Sequence, residues 1–234
     1  MKFNSKAIVL GLGLASSAAF ANDFNGEVGL VYADVEGLDV IQVTGTYYFD
    51  SVDLSNTAWA EAEFMGRNSN VSVQYTDFDS DVDAMGINLE FFGEGNNNLY
   101  GAIGFVSIDT PFGSDDVVVG ELGYFVDDNW LVSIQATDDS DNPIFLKTKY
   151  VGDLGDGQFF NVEASIDDEE NDLEVSADYY FTNASSFGLQ LSQAEGFDYG
   201  LNFKHFFNKQ FALEVTYAST DFGDETGIGI TARF

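Results

Sequence analysis

The chain has 234 residues, with 40 acidic side chains against 8 basic ones, a formal charge of −32 and no cysteine. So few Lys and Arg exclude nucleic acid as a partner, because phosphate binding depends on them, and without cysteine no disulfide can hold the fold. At 45% hydrophobic and 15% aromatic residues, the composition also excludes a disordered acidic tail.

Lys2 and Lys6 open the chain, an apolar run follows from Ala7 to Ala15, and Ala19-Phe20-Ala21 has the A-x-A form of a cleavage site. The order basic, apolar, small predicts a secretory signal over residues 1–21, cleaved near Ala21; its apolar run is too short to cross a bilayer as a helix. No linker divides the remainder, so residues 22–234 form one expected domain.

From there the apolar residues alternate, segment after segment. Ile41, Val43, Tyr47 and Phe49 share one face, and Gln42, Thr44, Thr46 and Tyr48 the other. Val71, Val73 and Tyr75 oppose Ser72, Gln74 and Thr76, and Ile87, Leu89 and Phe91 oppose Gly86, Asn88 and Glu90. The pattern returns with Phe160, Val162, Ala164 and Ile166, then with Leu173, Val175, Ala177, Tyr179 and Phe181. A period of two means strands with one apolar and one polar face.

Predicted strands lie near 24–33, 38–49, 69–78, 82–92, 98–108, 116–126, 130–138, 144–151, 157–167, 171–181, 186–193, 197–207, 211–220 and 225–234. The fold class is therefore all-β, a transmembrane antiparallel up-and-down β-barrel of about 14 strands, an even number that leaves both termini periplasmic. Counts of about 12 or 16 are the alternatives, given ordinary boundary error. Residues 58–67 would make the count odd if read as a strand, and they are rich in Ala and Glu. They are expected to form a short periplasmic helical turn.

Three features favour a membrane barrel over a soluble sandwich. The polar face is rich in Gly, Ser, Thr and Asn, as a wet lumen allows. Aromatics gather at strand ends: Tyr47, Phe49, Phe91, Tyr124, Tyr150, Tyr179, Phe181, Phe207 and Phe211 at one interface, Tyr32, Tyr75, Phe105 and Tyr217 near the other. Finally, Ile228, Ile230 and Phe234 fall in one register of a closing strand, the pattern of an assembly signal read by the barrel-insertion machinery.

The inward face is expected to carry Glu27, Glu90, Glu121, Glu163, Glu174, Asp178 and Glu214, with Lys147, Lys149, Lys204 and Arg233 as counter-charges. Such residues fit the wall of a water-filled pore, and the acidic excess predicts a preference for cations. In a narrow lumen the same charges would pair and close it. The connections on one side are acidic, including those at Asp34, at Asp77–Asp81, at Asp109–Asp116, at Asp138–Asp141, at Asp167–Asp172 and at Asp221–Glu225. They serve solubility, or else bind divalent cations and lipopolysaccharide; none has EF-hand spacing, so no specific metal site and no cofactor is expected. His205 alternates with Phe203 and Phe207 and faces lipid, which leaves no Ser-His-acid set in the lumen, so no enzyme is expected.

Together with Tyr47-Tyr48-Phe49-Asp50, Ala60-Glu61-Ala62-Glu63-Phe64 and Thr231-Ala232-Arg233-Phe234, these patterns resemble the small porin type of Gram-negative outer-membrane β-barrel over the whole mature chain. The resemblance implies passive diffusion of small hydrophilic solutes. The alternative is a non-conducting structural or adhesive barrel whose acidic loops bind cations or lipopolysaccharide. Expected partners are outer-membrane lipid, lipopolysaccharide, the insertion machinery, small solutes or cations, and, as the alternative to a monomer, further copies of the chain. No connection is long enough to be an obvious inward constriction.

Overall fold

The computed structural model describes residues 23–234 apart from positions 36, 79, 80, 94, 96, 139–142, 195 and 222. The expected signal segment, and parts of the acidic connections around 36, 79–80 and 139–141, lie outside the described residues.

Fourteen strands follow one another: β1 (Asp23–Val35), β2 (Leu38–Asp53), β3 (Asn70–Phe78), β4 (Val82–Phe92), β5 (Leu99–Thr110), β6 (Gly113–Asp127), β7 (Trp130–Thr137), β8 (Phe145–Gly155), β9 (Gln158–Asp167), β10 (Leu173–Thr182), β11 (Ser185–Ser192), β12 (Phe197–Phe206), β13 (Phe211–Thr220) and β14 (Gly223–Arg233). Each pairs antiparallel with its sequence neighbours, and β1 pairs with β14, closing the barrel. The closing seam sets Glu27 opposite Arg233 and Leu30 opposite Ile230. Closure leaves no unpaired sheet edge, which a chain crossing hydrocarbon requires.

The count of fourteen matches the expectation from alternation and parity. Boundaries moved most at the ends of β2 and β8, which run on to Asp53 and Gly155, and the β5–β6 hairpin is longer as well. Residues 109–116, expected to be a loop, continue both strands to a tight turn, with Thr110 opposite Gly113. Gly113 to Asp116 are all exposed there, and the alternation of exposed and partly buried side chains begins only at Val117.

The alternation now has a direction. Val28, Leu30, Tyr32, Ile41, Val43, Ile87, Ile103, Leu122, Ile134, Leu189 and Ile230 are exposed on the outer face, as side chains against lipid must be. The aromatic residues expected at the first interface are all exposed, from Tyr47 to Phe211. The buried apolar residues are found instead inside one end of the barrel, the end that holds both termini and the connection between β2 and β3. In a bacterial single-chain barrel this is the periplasmic end.

That connection holds the helical turn the sequence predicts, a 3-10 turn (Trp59–Glu61) followed by α1 (Ala62–Gly66). It lies between β2 and β3 at the periplasmic end, as expected, but where no inward constriction was expected it folds into the barrel mouth. The signal was its composition: Trp59, Ala60, Ala62, Phe64 and Met65 leave a short helix no consistently polar side. Apolar side chains on several sides of so short a turn need walls on several sides, with its two glutamates left to be met by polar partners.

Candidate functional site

Eleven of the strands contribute to gripping this segment. Phe24 of β1 and Tyr48 and Val52 of β2 pack with Leu54, Trp59 and Ala62. Phe92, Tyr100, Phe125, Leu131 and Val151, from β4 through β8, surround Phe64 and Met65. Phe159 of β9 and Tyr180 of β10 close on Ala58, and Phe206 of β12 meets the Trp59 ring edge-on at 5.9 Å. Leu54, Ala58, Ala62 and Phe64 are buried. Each of the larger side chains gains about 1.5–3 kcal/mol from full burial, a sum that makes the segment a packed element of the mouth.

Polar contacts then fix its orientation. The Trp59 amide donates to the Asn183 carbonyl at 2.7 Å, and Arg233 donates from Nη2 to the Trp59 carbonyl at 2.8 Å. The Arg233 guanidinium lies 4.4 Å from the ring centres of both Phe24 and Phe206. Glu61 accepts from the Tyr180 hydroxyl at 2.7 Å and pairs with Lys149 at 2.8 Å, while Lys149 also pairs with Glu163 at 2.9 Å. At the far end Arg67 crosses the Phe125 ring at 4.0 Å and donates to Asn98 and to the Asp127 and Asp128 carbonyls.

Strand parity sends all eleven side chains expected in the lumen to the inner face, but it places them at different levels. Glu27, Glu214 and Arg233 are 2%, 6% and 3% exposed, beside the inward segment. Lys204 pairs with Glu214 at 3.0 Å there. Farther from the mouth, Lys147 holds Glu121 at 2.9 Å and also donates to Gln135. The remaining acids meet neutral donors: Glu90 accepts from Asn70 and Tyr100, Glu174 from Gln190 at 2.7 Å, and Asp178 from Asn202 at 3.1 Å. The Asp178 contact depends on Gly188 between the two strands, since a Cβ there would stand 2.2 Å from Asp178 Oδ1 and 2.1 Å from Asn202 Oδ1.

Sequence reasoning found the inward acids and bases and missed the segment that fills the mouth, with Trp59, Phe64 and Arg67. It also assigned Glu61 and Glu63 no role. Ser185 and His205 approach to 2.8 Å on the outward-facing register, with Phe207 against the imidazole at 5.1 Å. Among the described residues no group of three His, Cys, Asp or Glu side chains could hold a metal ion.

Comparison with known proteins agrees with this architecture. A family model described as "Putative general bacterial porin" matches residues 5–145 and 135–234. The crystal structure of the outer membrane protein Omp33 of Acinetobacter baumannii is similar over 92% of this chain and 100% of its own, with 23% identity and a TM-score of 0.83. The KdgM porin, solved in complex with disordered oligogalacturonate, is similar over 89% of this chain and 99% of its own, at 11% identity and a TM-score of 0.50. No curated protein matches the chain in sequence. The solved structures share its fold, and the family match carries the relationship.

Proposed function

This chain belongs to that general bacterial porin family, and on that premise we propose that it passes small hydrophilic solutes passively, with a preference for cations. The family match and the barrel fold support an outer-membrane channel. The observation that supports cation preference is the uneven pairing of the lumen charges. Lys147, Lys149 and Lys204 are each taken up by carboxylates, whereas Glu90, Glu174 and Asp178 are held by amides or a hydroxyl and keep their charge uncompensated. Uncompensated carboxylates on a low-dielectric wall concentrate cations and exclude anions.

The test is a reversal potential across a planar bilayer under a salt gradient. The expected sign is cation-directed, weakening as salt rises toward molar concentrations, where screening reaches only about 3 Å. Glu174→Gln combined with Asp178→Asn moves the potential toward zero; an anion-directed potential in the unaltered protein would refute the preference.

A second reading is favoured by the filled mouth. The inward segment is held by eleven of the strands, so on this reading the barrel conducts only if that segment moves. A barrel in which it never moves would be structural or adhesive, and its acidic connections would then be the surface for cations or lipopolysaccharide. The absence of stepwise conductance under all conditions decides for that reading.

A further inference from the structure

The seat of the inward segment is short of positive charge. Facing Glu63 and its neighbour Glu61 are Glu27 of β1, Tyr48 of β2, Lys149 of β8, Asp178 and Tyr180 of β10 and Arg233 of β14; Glu163 of β9 is joined through Lys149, and the Lys204–Glu214 pair of β12 and β13 lies beside Glu27 and Arg233. Lys149 is committed to Glu61 and Glu163, and Lys204 to Glu214. That leaves the Arg233 guanidinium as the cation opposite both Glu27 and Glu63.

Neither carboxylate is well satisfied. Glu63 Oε2 is shut off from solvent without a hydrogen-bond partner, and the Glu27 oxygens are equally shut off with only the Tyr48 hydroxyl beside them; Trp59 Nε1 on the segment and Thr57 Oγ1 just before it are likewise without partners. A buried carboxylate in that state is held at high cost if charged and at little cost if protonated.

We propose that the segment Ala58–Asn68 is a releasable stopper, and that it stays seated only while Glu63 carries a proton. The proposal rests on the channel reading for its consequence, the opening of the mouth, but not for the movement itself.

The sign follows from linkage. Burial, and then the charge of Glu61, push the Glu63 carboxyl from its usual 4.5 up to about 7, against the opposing pull of Lys149 and Arg233. Released into water, Glu63 returns to its usual range. The seated form therefore binds more protons than the released form between those limits, and seating weakens as pH rises. The ratio of seated to released forms falls about tenfold per pH unit across that window, about 300-fold in all, and is constant above it. Below the window seating is at its strongest and no longer changes with pH.

The chain's two tryptophans make the movement measurable. With Trp130→Phe, which removes the lipid-facing indole, Trp59 is the sole reporter, and its quenching by acrylamide is followed from pH 4.5 to pH 8.5 in refolded protein. The expected result is quenching that increases up to about pH 7 and then levels off, with single-channel openings increasing in parallel. Glu63→Gln, a permanent neutral mimic, keeps Trp59 shielded at every pH. Quenching that ignores pH in the Trp130→Phe protein overturns the stopper, even if openings are recorded. So does a Glu63→Gln variant that tracks its parent. Quenching that follows pH without any conductance leaves the stopper standing and defeats the channel reading instead. The parent titration alone decides the first point if Glu63→Gln does not refold.

Discussion

Arg233 of β14 donates from its guanidinium to the carbonyl oxygen of Trp59 at 2.8 Å, joining points 174 residues apart. The last strand of the barrel thereby holds the segment between the second and third strands, across the closing seam. The side chain expected to line a water path is instead 3% exposed and stacked between two phenylalanine rings. Arg233→Ala removes a charge-assisted hydrogen bond and two cation–π contacts, and about 2–4 kcal/mol of seating with them. The expected outcome is strong acrylamide quenching of Trp59 at pH 5, where the unaltered protein is shielded. Arg233→Lys keeps the charge but loses the planar stack, so its quenching falls between the two.

Lys149 is the other anchor, shared between Glu61 on the segment and Glu163 on the wall, with its ammonium 4.9 Å from the Phe64 ring centre. Replacing it by Met keeps the bulk and leaves two carboxylates facing each other. Loosening by about 1–3 kcal/mol is expected, read as Trp59 quenching that begins at lower pH. Adding Glu61→Gln to Lys149→Met recovers part of this loss. A double-mutant cycle without coupling between positions 61 and 149 would show that the pair does not hold the segment.

These two anchors mark the boundary of what could be read from sequence. The strands were legible because the period-two pattern is written locally, in runs such as Leu173, Val175, Ala177 and Tyr179, and because parity constrains a closed barrel. The inward direction of Glu163 or Asp178 follows from the same pattern. The position of residues 58–67 does not, because it depends on side chains contributed one or two at a time by distant strands: Phe24, Tyr48, Phe125, Phe159, Tyr180 and Phe206. On their own strands the last five read as aromatics in the polar register, whereas Phe24 shares the parity of Val28 and Leu30 and is buried next to the register shift between Phe24 and Gly26; only closure of the barrel brings the six together. The apolar character of the segment was visible; what covers it was not.

At the seam, the backbone of Gly26 exchanges hydrogen bonds with Phe234, at 3.0 and 3.1 Å, and the Phe234 ring occupies the space where a side chain at position 26 would begin. A Cβ there would stand 2.4 Å from Phe234 Cε2. Gly26→Ala must therefore push the ring away, at about 1–3 kcal/mol. The expected outcome is a smaller fraction of barrel that migrates as the compact, heat-modifiable form after refolding. Shortening the ring as well, with Phe234→Leu, relieves the clash and restores part of that fraction. An unchanged yield for Gly26→Ala alone would mean that the ring is not needed where it lies.

Arg67 ends α1 in the left-handed region, at φ 52°, where a side chain is ordinarily disfavoured and glycine is the usual choice. Its guanidinium compensates by reaching Asn98 and the Asp127 and Asp128 carbonyls and by covering the Phe125 ring. Two substitutions separate these effects. Arg67→Ala loses the side-chain contacts and keeps the backbone strain, whereas Arg67→Gly loses the same contacts and relieves it. Both are expected to loosen the segment, and Arg67→Gly by about 1 kcal/mol less than Arg67→Ala. Thermal melts followed by Trp59 emission in the Trp130→Phe background give the comparison. If the two variants melt together, the left-handed backbone carries no strain; if both melt with the parent, the guanidinium contacts do not hold this end, and the grip comes from Phe64 and its ring of aromatic neighbours alone.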